Sequence, residues 1–107
     1  MKRLTSEDDL ERLLSSPGPV WVFKHSAICP TSSAALQEVE RYLSQHEATA
    51  AMVVVQEQRP VSNLIARKLG YTHQSPQLFL VEDGRVRWQS SHWGITADAM
   101  EQAVAAS

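Results

Sequence analysis

Two stretches, Val20-Trp21-Val22-Phe23-Lys24 and Ala51 to Gln56, are rich in apolar and β-branched residues and show little apolar–polar alternation. Such runs are the mark of strands buried on both faces. Between them, Ala35, Leu36, Val39, Tyr42 and Leu43 recur at spacings of three and four. That spacing predicts an amphipathic helix from Pro30 to about Gln45, opened by a proline whose missing N–H costs nothing in the first turn. Two buried strands joined by one helix pair in parallel, and both faces of their sheet need covering.

The rest of the sequence supplies that cover. Ser6 followed by Glu7, Asp8 and Asp9 predicts an N-cap and an acidic first turn, with Leu4, Leu10, Leu13 and Leu14 as the buried stripe and Ser15 to Pro19 as the stop. A third helix is expected from Pro60 or Val61 to Leu69, ended by Gly70. Gln77 to Glu82, the turn Asp83-Gly84, and Arg85 to Ser90 form a hairpin. After a loop, Thr96 caps a last helix, Ala97 to Ala106. The order is αβαβαββα: an α/β fold with a four-stranded mixed sheet, helices on both faces, and a single domain spanning residues 1–107.

A net charge of −2 argues against a nucleic-acid partner, which needs concentrated positive charge. The longest apolar run, Ala50 to Val55, is too short to span a bilayer, so no membrane partner is expected. Lys2-Arg3 runs into acidic residues instead of an apolar stretch, giving no signal peptide and a cytoplasmic location as the expectation. His46 and His73 have no partners at metal-ligand spacing, so no metal site is expected.

Chemistry concentrates at the junction of the first buried strand and the second helix, Lys24-His25-Ser26-Ala27-Ile28-Cys29-Pro30-Thr31-Ser32. Cys29 is the only cysteine in the chain. A free thiol ionises near pH 8.5, and a helix N-terminus can lower this to roughly 3.5–7.5 by its open N–H groups and dipole. Cysteines are often only buried small hydrophobes. Pro30 and the polar Thr31-Ser32 that follow Cys29 favour a nucleophile instead. Ser32, one turn on, shares a helix face with Cys29 and is a candidate donor to its thiolate, as is Thr31; the plainer alternative is that both serve the first turn. Lys24 or His25 is a candidate cation beside the thiol, and strand alternation allows only one of them to face it.

Cys29-Pro30-Thr31-Ser32 is a Cys-x-x-Ser variant of the Cys-x-x-Cys motif. Lys24-His25-Ser26 before it resembles the strand-to-motif passage of glutaredoxins, one residue longer here. With the stretch Val54 to Asn63, Ser75-Pro76-Gln77, Ser91-His92-Trp93 and Ile95-Thr96, the chain resembles the monothiol bacilliredoxins. These are YtxJ-like general stress proteins of bacteria that use bacillithiol in place of glutathione. Gly94 departs from the family pattern, which has an acidic residue there.

The resemblance implies a thioredoxin-like fold and an enzyme that removes bacillithiol from oxidised proteins, through a mixed disulfide on Cys29. It implies no tightly bound cofactor, bacillithiol as thiol co-substrate, S-bacillithiolated client proteins, and a recycling reductant or reductase. It also places a cis-proline at Ser75-Pro76, 47 residues beyond Cys29, and brings His92 and Trp93 to the border of the thiol. Ser75, Pro76, Trp93, His92, His25, Lys24 and Pro30 are then the candidate substrate-binding residues. Two other functions are weighed: an iron–sulfur cluster carrier of the monothiol glutaredoxin type, whose usual Gly-Phe between Cys and Ser is Pro30-Thr31 here, and a thioredoxin-like interaction module without chemistry. With one cysteine, an intramolecular disulfide is impossible whichever holds.

Overall fold

In the computed structural model, which describes residues 1–106, the chain forms one five-stranded sheet in the order β1-β3-β2-β4-β5. The elements are β1 (Lys2–Arg3), α1 (Glu7–Leu14), β2 (Pro19–His25), α2 (Pro30–Gln45), β3 (Thr49–Val54), α3 (Arg59–Leu69), β4 (Gln77–Glu82), β5 (Arg85–Ser91) and α4 (Ala97–Ala105), with a short 3-10 turn at His92–Gly94. β2 pairs with β3 in parallel, as the crossover requires, and with β4 antiparallel.

Alternation along β2 divides the core. Trp21 and Phe23 pack with Ala35, Val39 and Tyr42 of α2 and Met100 of α4. Val20 and Val22 pack with Leu10 and Leu13 of α1 and Val61 and Ile65 of α3. Each face of the sheet is thus covered by two helices, and the buried runs of the sequence need both.

The local signals act as physics requires. Ser6 and Thr96 accept backbone N–H bonds from Asp9 and Ala99 at 3.1 and 3.0 Å. The hairpin turn places Asp83 and Gly84 at φ 53° and 76°, the left-handed pair that suits strand twist.

Four strands were expected and five are present. β1 pairs in parallel with β3 through Lys2 and Arg3, both exposed, so no apolar pattern marks it. Leu4 anchors it: its side chain is buried, and its N–H donates to the Met52 carbonyl at 2.8 Å. Leu4 therefore belongs to β1's end, not to the helix stripe. β3 also begins and ends two residues earlier than the apolar run suggests, leaving Val55 and Gln56 in the turn before α3.

Candidate active site around Cys29

Cys29 is the N-cap of α2, in extended backbone at φ −106° and ψ 119°, with Pro30 next in the helix. Its carbonyl accepts the Ser33 N–H at 3.1 Å, and its side chain is half-buried. No side chain bonds to the helix start from the N-cap, so the first-turn N–H groups remain open where the sulfur sits.

Two clamps hold the turn that carries the thiol. Ser32, fully buried, accepts the Ser26 N–H at 2.8 Å and lies 2.8 Å from His25 Nδ1. Gln56, just past β3, accepts the Ala27 N–H at 3.0 Å and donates to Ser26 Oγ at 2.7 Å. Burial, reinforced by Arg3, holds His25 below its usual range, although Ser32 and Glu40 oppose that shift. The 2.8 Å contact between Ser32 Oγ and His25 Nδ1 is one hydrogen bond, donated by the ring or by the hydroxyl according to the tautomer. The Ser32 hydroxyl is thus engaged with Ser26 and His25 at the end of β2. Thr31, in the same turn, is half-buried.

Of the two candidate cations, the structure turns His25 toward α2, where its ring lies 5.8 Å from that of Phe23. Lys24 goes to the opposite face, with Val22 and Val53, and is fully buried. Burial pushes its ammonium down to about 8.

The register Lys24↔Gln77 puts Pro76 beside the end of β2 from which Cys29 follows. The Ser75–Pro76 peptide bond is cis, Pro76 is buried, and its carbonyl accepts the His92 N–H at 3.1 Å. That bond brings the 3-10 turn to the site, with His92 itself in the left-handed region at φ 52°. Trp93 is 73% exposed and Ile28, next to Cys29, is 83% exposed. A groove between α2 and the turn is lined by Ala34, Glu38, His92, Trp93 and Thr96. At Gly94 a Cβ would collide with Ser90 Oγ, so a side chain there would require that hydroxyl to move.

All ten expected site residues therefore lie at one end of the sheet, though Lys24 lies beneath it on the α3 side. Gln56 and Ser26 were not singled out; only the approach of β3 to β2, where Val55 N–H donates to the His25 carbonyl at 2.9 Å, brings them together. Among the described residues no cluster of three or more His, Cys, Asp or Glu is placed to hold a metal ion, and no helix is long and apolar enough to cross a membrane.

Solved structures share this arrangement. A candidate oxidoreductase with a thioredoxin fold is 31% identical, with 96% of this chain and 92% of that chain covered and a TM-score of 0.92. Thioredoxins from Halobacterium salinarum and Trypanosoma brucei brucei, 18% and 10% identical, superpose with TM-scores of 0.78 and 0.81. The first alignment covers 98% of this chain and 88% of that one, the second 97% and 87%. These establish the thioredoxin fold. Residues 2–100 match the family model described as monothiol bacilliredoxin BrxC. With that match over nearly its whole length, the chain belongs to the monothiol bacilliredoxin family.

Proposed function

We propose that the protein is a cytoplasmic thiol–disulfide exchange enzyme that removes bacillithiol from S-bacillithiolated proteins. One observation carries the reading: the only cysteine stands at the open N-terminus of α2, in a chain of this family. The Cys29 thiolate attacks the bacillithiol sulfur of the mixed disulfide. The old S–S bond breaks, the client leaves as a thiolate and takes a proton from solvent, and Cys29 keeps the bacillithiol. A second low-molecular-weight thiol, or a dithiol reductase, then attacks this new disulfide, supplies the two electrons and frees Cys29.

In this scheme Ser32 is a positioning residue, fixing the turn through Ser26 and His25, while Pro30 and Thr31 complete the helix start beneath the sulfur. The backbone at Ser75 and Pro76 pairs with an extended client segment. Trp93, with Ile28, offers an apolar wall, and His92 holds the Trp93 turn against Pro76.

Intact mass after brief exposure to bacillithiol disulfide, and separately to glutathione disulfide, tests the reading. The expected result is rapid addition of one bacillithiol, slower addition of glutathione, and neither on Cys29→Ser. Equal, sluggish modification by both would rule out recognition of bacillithiol.

Trp93→Ala should slow release of bacillithiol from a modified client protein about fivefold, in the range of one lost interface contact. Since the ring is mostly solvent-exposed, the melting temperature should stay within about a degree. Unchanged kinetics with client protein would remove Trp93 from the docking surface.

A further inference from the structure

Lys24 is wholly buried, and its Nζ has no hydrogen-bond partner. Burial alone governs its charge, and no carboxylate offsets it. Only one other buried side-chain polar atom among the described residues is similarly unpartnered, Ser75 Oγ. Ser75 is two residues before Gln77, the cross-strand partner of Lys24. Two orphaned polar groups at one end of the sheet are an expensive arrangement, since each loses water and gains nothing.

The segment that leads to Pro76 is held at its start by Tyr71, whose N–H donates to the Ala66 carbonyl at 3.2 Å and whose ring packs edge-on against Phe79 at 5.6 Å. Residues 71–76 form neither helix nor strand, and residues 71–74 are exposed. The buried Gln77 amide ties the segment down, accepting the Gln74 N–H at 3.1 Å and donating to the Thr72 carbonyl at 3.4 Å. His73 reaches α3 only through a 3.5 Å contact with Ser62 Oγ. Residues 71–75 take part in no strand pairing, and the segment ends at Pro76, beside the thiol. A buried cation and a hydroxyl, with no anion between them, match a carboxylate, which accepts from both.

We propose that Lys24 and Ser75 form a subsite beneath the 71–76 segment that takes a carboxylate of the small thiol held on Cys29. This rests on Cys29 carrying such a thiol. It does not require the thiol to be bacillithiol.

Disulfides of ω-mercaptoalkanoic acids of increasing chain length, each compared with its uncharged amide, test it by rates of adduct formation on Cys29. The native protein should favour the acid over the amide about tenfold at one chain length, the scale of one hydrogen-bonded charge. Lys24→Met should flatten that profile, and Ser75→Ala should lower its peak. A second readout guards against altered packing: loading with the preferred acid should raise the melting temperature of the native protein but not that of Lys24→Met. A flat native profile, or the same peak in Lys24→Met, would overturn the subsite. Failure of the bacilliredoxin reading would appear separately, as no preference for bacillithiol over glutathione in the native protein.

Discussion

Replacing Ser32 by cysteine is expected to turn a lasting adduct on Cys29 into a short-lived one. Cys29 is the N-cap and Ser32 the third helical residue, the pair of positions whose side chains meet in a capping box. A thiol introduced there stands one helical turn from the Cys29 sulfur. Once Cys29 carries a small thiol, the new thiol attacks the Cys29 sulfur, expels the small thiol, and leaves an internal disulfide. Intact mass after addition of bacillithiol disulfide should show a persistent adduct on the native protein. The variant should show instead a species two hydrogens lighter than its reduced form, with the adduct reduced at least tenfold. The change also removes the hydroxyl that serves Ser26 and His25, at a cost of about 1–3 kcal/mol. Ser32→Ala separates the two effects, because it loses the clamp without gaining a thiol. An adduct as durable on the cysteine variant as on Ser32→Ala would mean that this side chain cannot turn from His25 to the sulfur.

Elements defined by local chemistry are legible in the sequence. Pro30 marks the start of α2, Ser6 and Thr96 the caps, and Asp83-Gly84 the hairpin, because each acts within one turn of itself. The unalternating runs gave β2 and β3 because burial on both faces leaves no polar side to show. β1 was hidden for the opposite reason: its two residues are charged and exposed, so no apolar pattern marks them, and its pairing with β3 is a long-range event. The site divides in the same way. Cys29 follows from its place at a strand-to-helix junction, but the bonding of Ser32 depends on how β2 meets α2. The Gln56 clamp depends on the arrival of β3. A register shift between Leu80 and Val81 in the hairpin likewise left no sequence trace.

Lys24 is the residue whose surroundings the sequence concealed most fully, and its replacement by methionine should stabilise the fold. A lysine at a strand end ordinarily extends its ammonium to water; this one is fully buried, and its Nζ has no partner. Its folded pKa of about 8 lies below the usual 10.5. The sign follows from proton counting. Between those values the unfolded chain holds a proton that the folded chain lacks, so stability rises as pH rises through about 8 to 10.5. Below pH 8 both states are protonated and the full penalty applies, roughly 3 kcal/mol. Methionine fills much the same volume without the charge, and replacing buried charge by apolar side chains is known to stabilise. Urea unfolding at pH 7 should show a gain of roughly 2–3 kcal/mol, or more than about 10 °C in melting temperature. The difference between native and variant should shrink steadily from pH 8 to 10.5. An unchanged midpoint, with no convergence at high pH, would mean that the ammonium is already compensated in the folded protein. A gain in stability together with loss of acid selectivity at Cys29 would identify Lys24 as a residue held against stability by its role in binding, the trade expected of groups arranged to meet a ligand.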